Sequence, residues 1–124
     1  MKPYTISDMS PMSARLFLIQ NWSEIARRAK WSAAVLAKDC GVSERTLRRY
    51  FLKTRQQGPG VWLAKERLRH AHHLLDENHS VKETAIRLGY QQSYNFSRQF
   101  KKHSGINPSV YAAQMTGGLA AKHI

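Results

Sequence analysis

The chain carries one punctuated segment twice, and that repetition restricts its fold more than any other feature. Ala37-x-x-x-Gly41 recurs as Ala85-x-x-x-Gly89 at an offset of 48 residues. Beyond the glycine the offset becomes 49, pairing Leu47 with Phe96, Arg49 with Arg98, Phe51 with Phe100, Lys53 with Lys102, Pro59 with Pro108 and Trp62 with Tyr111. One extra residue in the second turn accounts for the change. Each copy reads as a short helix, a turn and a second helix with an apolar i, i+4 pair, the helix-turn-helix pattern. The alanines suit a close helix crossing, and the glycines can take the positive φ that reverses the chain.

Helix signals continue outside the repeat. Ser10 before Pro11 predicts an N-cap with proline at the first helical position. Leu18, Trp22, Ile25 and Ala29 then predict one face of a helix over about 10–30. Ser32 caps a short helix through Val35, Leu36 and Ala37. Ser43, followed by Glu44, caps a third with Leu47, Tyr50 and Phe51 on one face. Gln57-Gly58-Pro59-Gly60 interrupts the chain before a longer helix to about Glu77, whose seam is Val61, Ala64, Leu68, Ala71 and Leu75. Ser80 and Glu83 predict a capping box for a helix carrying Val81, Ala85 and Leu88. Another helix starts near Gln92 and ends at Gly105, and Pro108 opens a last short one through Tyr111. Strand alternation and hairpin dipeptides are nearly absent.

The expectation is an all-α chain of two helix-turn-helix subdomains joined by a linker helix. The divisions are an N-terminal tail over 1–9, the first subdomain over 10–60, the linker over 61–78 and the second subdomain over 79–115. A flexible tail over 116–124 follows, with Gly117-Gly118 ending the helical run.

Charge supplies the partner class. Twenty Lys and Arg against 8 Asp and Glu give this 124-residue chain a formal charge of +12, which points to DNA, RNA or an anionic membrane surface. A hydrophobic share of 42% argues against a disordered basic tail. No apolar run approaches the roughly 18 residues of a spanning helix, and no secretory leader pattern opens the chain. Cys40, the one cysteine, cannot form an internal disulfide and fits a reducing, cytoplasmic setting. It reads as core filler, since no resolving partner is supplied for redox chemistry. No phosphate-binding glycine motif, nucleophile elbow or zinc-hydrolase motif occurs, so neither an enzyme nor a cofactor is expected.

The outward faces of the second helix in each copy narrow the partner to double-stranded DNA. One face offers Arg45, Arg48 and Arg49; the other offers Ser93, Tyr94, Ser97 and Arg98. Arginine pairs bidentately with guanine, and the others supply hydroxyls or apolar contact, so these are the base-contacting candidates. Ser32, Ser43 and Gln92, at helix N-termini, and Lys53, Arg55, Lys101 and Lys102, by charge, are candidates for the DNA backbone. Glu66, His70, His73 and Glu77 share an outward face of the long helix and have ligand chemistry for zinc or nickel. Ligands from one straight helix rarely enclose an ion, so they read as a polar face with no metal. A metal-sensing regulator and a nucleoid protein of low specificity stand as alternatives to a sequence-specific reader.

These residues resemble the DNA-binding domain of the AraC/XylS family of bacterial transcription regulators. The match runs through Leu36-Ala37-x-x-x-Gly41-Val42-Ser43-x-x-x-Leu47-x-Arg49-x-Phe51, then Pro59, Leu63, Arg67-Leu68, Ala71 and Leu74-Leu75. It continues as Ala85-x-x-x-Gly89-Tyr90, Phe96-Ser97-Arg98-x-Phe100-Lys101-Lys102-x-x-Gly105-x-x-Pro108-x-x-Tyr111, about two thirds of the chain. The resemblance implies seven helices, a rigid linker helix, and two reading helices in successive major-groove segments. It further implies a regulator in the bacterial cytoplasm and nucleoid, more often an activator, with RNA polymerase as a partner. Compact members bind as monomers; a longer regulator would dimerise through a domain absent here. Three positions depart from the family pattern. Gln56 stands where glycine usually ends the first reading helix, the glycine being displaced to Gly58; Thr84 stands at an often isoleucine position; Ala112 follows the final tyrosine where arginine is common.

Overall fold

The computed structural model describes the backbone of residues 11–123 and the side chains of residues 14–115. The expected tail over 1–9 and the Ser10 cap lie outside the described residues. Among these there are eight helices and no strand: α1 (Pro11–Phe17), α2 (Trp22–Arg28), α3 (Ala33–Asp39), α4 (Glu44–Arg55), α5 (Pro59–Asp76), α6 (Val81–Arg87), α7 (Ser93–Ser104) and α8 (Pro108–His123). The chain forms two compact units, and the division between Glu66 and Arg67 falls inside α5.

The repeat recurs bond for bond in the helix endings. In one copy the Lys30 amide donates to the Arg27 carbonyl and Trp31 to Ala26; in the other Asn78 donates to Leu75 and His79 to Leu74. After α3, Gly41 donates to Lys38 and Val42 to Ala37; after α6, Gly89 donates to Ile86 and Tyr90 to Ala85. Each pair is a Schellman closure, which satisfies orphan carbonyls and needs a left-handed residue after the cap. Gly41 and Gly89 supply it at φ +71 and +82, and Lys30 and Asn78 at φ 53 and 70. Serine starts the next helix in three places: Ser32, Ser43 and Ser80 accept the amides of Val35, Thr46 and Glu83.

The first unit buries Leu16, Trp22, Ala26, Ala29, Leu36, Ala37, Leu47, Tyr50, Phe51 and Leu63 in one apolar cluster. Phe51 lies edge-on to Trp22 at 5.2 Å and to Trp62 at 5.3 Å between ring centroids. The single helix expected over 10–30 is two helices here, giving eight in place of seven. Leu16 is fully buried and Leu18 is 69% exposed. Six residues at 100° each would set Leu16 about 120° from Trp22 on one continuous helix, so burying both requires a break. The break lies between Phe17 and Trp22, where Leu18 and Ile19 make i→i−3 bonds to Arg15 and Leu16.

The second unit buries Leu68, Ala71, Leu74, Leu75, Ala85, Leu88, Phe96 and Phe100. The seam expected along α5 is corrected at its start, where Val61 is 53% exposed and Leu63 is buried. One periodic seam cannot describe a helix whose two ends serve different cores. The last helix is also longer than expected, since α8 passes Gly117-Gly118 and reaches His123. Each glycine costs a helix about 1 kcal/mol relative to alanine, and the neighbouring Leu119, Ala120 and Ala121 are strong helix formers. The capping box at Ser80 is half formed. Its hydroxyl takes the Glu83 amide, while the Glu83 carboxylate meets His79 Nδ1 at 3.3 Å.

Thr84 and Leu36 are repeat mates, and both are fully buried. The Thr84 hydroxyl has no hydrogen-bond partner among the described residues. An unpaired buried hydroxyl costs about 1–3 kcal/mol. Thr84→Val keeps the shape and removes that cost, so it is expected to raise the unfolding free energy by about 1 kcal/mol, measured by chemical denaturation. An unchanged or lower value would show that the hydroxyl is satisfied.

His72 lies tilted against Phe100 at 4.6 Å, meets Tyr111 edge-on at 4.8 Å and places Nε2 2.6 Å from Ser104 Oγ. Burial, and then the neighbouring His103, hold its imidazole below the usual value of 6.5, while Asp76 pulls the other way. The folded protein therefore binds this proton less tightly than the unfolded chain does. Its stabilising contribution is complete above pH ~6.5 and is lost as pH falls through the depressed folded value. Thermal unfolding is expected to lose more stability between pH 7.5 and 5.5 in the wild type than in His72→Gln. Equal losses would remove His72 as the cause.

Candidate nucleic-acid interface

The side chains that point away from each core are set by the caps and the buried pairs. In α4, Ser43 fixes the start, and Leu47, Tyr50 and Phe51 turn inward. The opposite side carries Arg45, Arg48 and Arg49, all exposed, with Lys53 beside them. In α7, Phe96 and Phe100 turn inward, leaving Ser93, Tyr94 and Arg98 exposed and Ser97 half-buried. Tyr94 is 67% exposed, and the Arg98 guanidinium lies 5.7 Å over its ring. Lys101 and Lys102 are exposed further along α7. Each unit thus presents its own polar and cationic helix face at repeat-matched positions.

The helix starts differ in chemistry. Ser32 and Ser43 spend their oxygens on capping, and the Ser43 hydroxyl also donates to Thr46 Oγ1 at 3.0 Å. Gln92 caps α7 through its extended backbone, without a side-chain bond. At the other end of α4, Gln56 itself takes the left-handed cap that glycine holds at Gly105, with φ 57. Its side-chain amide donates to the Lys53 carbonyl at 3.2 Å. The displaced Gly58 is not needed for the reversal.

Arg55 is placed differently from the other backbone candidates. It is half-buried, its guanidinium 4.6 Å from the Phe51 ring centre, 5.2 Å from Trp22 and 5.3 Å from Trp62. Its repeat mate in the second unit is Ser104, whose hydroxyl meets His72 Nε2 instead. The difference follows from the ring content. Trp22 and Trp62 offer negative π faces to a cation, and the second unit has no tryptophan.

Two arginines close over the turn glycines, a placement that helical spacing does not predict. Arg15 Nη1 reaches the Gly41 carbonyl at 3.5 Å and would lie 2.9 Å from any Cβ placed there. Arg67 Nε donates to the Leu88 carbonyl at 3.0 Å, its guanidinium 3.7 Å above the Tyr90 ring. Leu52 lies on the same face, 46% exposed among the α4 arginines. Its position three residues after Arg49 and seven after Arg45 was the available signal.

The remaining candidates separate from this surface. His73 Nε2 meets Glu77 at 2.8 Å and its ring stacks with His70 at 6.0 Å, and no group of three or more metal-type ligands exists among the described residues. Cys40 is buried, and burial, with Asp39 adding to it, raises its thiol above the usual range. No helix among the described residues is long and apolar enough to cross a membrane.

Known proteins resemble this chain in sequence and in fold. A family model described as a helix-turn-helix domain matches residues 36–114. The HTH-type transcriptional regulator RipA of Corynebacterium glutamicum is 34% identical over 83 residues, covering 67% of this chain and 25% of RipA. The uncharacterized HTH-type transcriptional regulator YidL of Escherichia coli K12 is 37% identical over 82 residues, covering 65% of this chain and 28% of YidL. The chain therefore spans about a quarter of the length of these curated relatives. The crystal structure of a DNA-binding transcriptional dual regulator from Escherichia coli K-12 superposes with a TM-score of 0.68 over 88% of this chain and 96% of that one. At 19% identity the likeness is one of fold.

Arg55→Ala is expected to lower the unfolding free energy by about 1–2 kcal/mol, through lost cation–π contact and lost packing of its apolar stem. Its affinity for random duplex DNA should fall less than that of Lys53→Ala. Unchanged stability with an equal loss of affinity would return Arg55 to the phosphate contacts.

Proposed function

This chain belongs to the AraC/XylS family of helix-turn-helix DNA-binding transcription regulators, and we propose on that premise that it reads a specific DNA site with α4 and α7. Each helix enters a major groove, in segments roughly 34 Å or ~10 bp apart, so that one chain reads an asymmetric site of roughly 20 bp. Arg45, Arg48 and Arg49 contact bases from α4; Ser93, Tyr94, Ser97 and Arg98 do so from α7. Lys53, Lys101 and Lys102, with the helix starts at Ser32, Ser43 and Gln92 offering first-turn backbone amides, hold phosphates and set the register. The protein acts as an activator in the cytoplasm and nucleoid, with RNA polymerase as its partner, a role drawn from the family by analogy. The two readers keep the subdomain limits expected from the sequence, 10–60 and 79–115, with the 61–78 linker adding Leu63 to the first core and Leu68, Ala71, Leu74 and Leu75 to the second.

The observation that carries this reading is the recurrence of exposed, cap-fixed faces at matched positions of α4 and α7. Charge alone would serve a nucleoid protein of low specificity equally well, since both release counterions from the phosphates. Selection from a randomised duplex library of roughly 30 bp at physiological salt separates the two. Two short boxes about one helical turn apart are expected; no enrichment would leave the low-specificity protein.

Single substitutions sort the contacts. Arg49→Ala is expected to cost ~1–3 kcal/mol on the selected site and to relax the preference at one base pair, whereas Lys101→Ala weakens all sequences alike. Equal losses on selected and random DNA for Arg49→Ala would overturn its role as a base reader.

A further inference from the structure

The 49-residue offset aligns the two outward faces position by position. It pairs Arg45 with Tyr94, Arg48 with Ser97, Arg49 with Arg98, Leu52 with Lys101 and Lys53 with Lys102. Only the third and fifth pairs keep their chemistry. Positions 45, 49 and 52 form one row along α4, and 94, 98 and 101 form the matching row along α7, because four- and three-residue steps stay on one helix face. All six of these residues are exposed. The rows therefore read Arg–Arg–Leu and Tyr–Arg–Lys.

The arginines and the apolar side chains of these rows have different matches in the major groove. Guanine alone offers the paired N7 and O6 acceptors that fit a guanidinium, and the thymine methyl is the one apolar feature on any base edge. Leu52 is a large apolar side chain, 46% exposed, on a face otherwise made of cations. Water is a poor partner for it, whereas a thymine methyl would bury it. Tyr94 offers its ring with Arg98 held across it at 5.7 Å, an apolar surface beside a guanine-type donor.

Resting on the reading that α4 and α7 both enter major grooves, we propose that the two half-sites share a single guanine and differ around it. Arg49 takes this guanine in one half-site and Arg98 in the other. The α4 half-site adds a second guanine through Arg45 and a thymine against Leu52. The α7 half-site instead sets a thymine against Tyr94, and Lys101 there meets a phosphate.

Selection on a randomised duplex with the full chain, followed by binding to the selected site, tests this. Wild type is expected to enrich two unlike boxes with a common guanine. Replacing the assigned thymine of the α4 box by deoxyuridine removes only the methyl group. It should weaken wild-type binding about fourfold, the worth of one buried methyl, and leave Leu52→Lys unaffected. The double variant Tyr94→Arg/Ser97→Arg should turn the second box toward the guanine-rich first. If boxes are enriched but deoxyuridine is tolerated by the wild type, the Leu52 assignment is overturned. An unchanged second box in the double variant would overturn the division of chemistry between the helices. Failure to enrich any box removes the specific-reader function itself, a distinct result.

Discussion

The reversal of the chain after α3 and after α6 decides which side of α4 and of α7 is left outside. A left-handed glycine at Gly41 or Gly89, closed by the pair of backward bonds ending at Val42 or Tyr90, returns the chain onto the helix it has just left. The next helix must then lay its apolar side on the first: Leu47 and Phe51 in one unit, Phe96 and Phe100 in the other. The polar side has nowhere to go but outward. An alanine Cβ at Gly41 would meet both the positive φ and the Arg15 guanidinium, so one position holds together the turn, the core and the exposed face.

Local rules carried much of this fold. The serine caps at positions 32, 43 and 80 and the buried pairs of α4 and α7 were readable because each depends on neighbours within one or two turns. The glycine reversals were readable because the repeat displayed them twice. Expectation and structure part where a residue answers to something distant. Leu16 and Leu18 have equal claims on a helix face by spacing, and only the need to bury Trp22 beside Leu16 decides between them. The start of α5 follows the first core while its end follows the second, so no single period fits. Arg55 looks like any terminal helix cation until Trp22, far off in sequence, and Trp62, across the break before α5, are found around it.

The two units solve the same packing problem with different electrostatics. In the first, a guanidinium covers the aromatic cluster at the end of α4. In the second, Ser104 and the half-buried His72 occupy the corresponding place at the end of α7. One arrangement is indifferent to acid, because guanidinium keeps its charge at any ordinary pH; the other has a proton to gain. The candidate surface was legible to the extent that exposure follows from the buried pairs. Leu52 is less legible, because a leucine on a cationic helix reads as stray apolar surface apart from its alignment with Arg45 and Arg49.

The odd residue between the two copies sits after the reversal at Gly89 and before the cap at Gln92. The backward bonds that end at Tyr90 are complete before it is reached, so the inserted residue alters neither the turn nor the core. It changes only the reach of chain between the closed turn and the start of α7. The change of offset is therefore absorbed between the closed turn and the first turn of α7, and the buried pairs Leu47/Phe51 and Phe96/Phe100 keep their matched places in the two units.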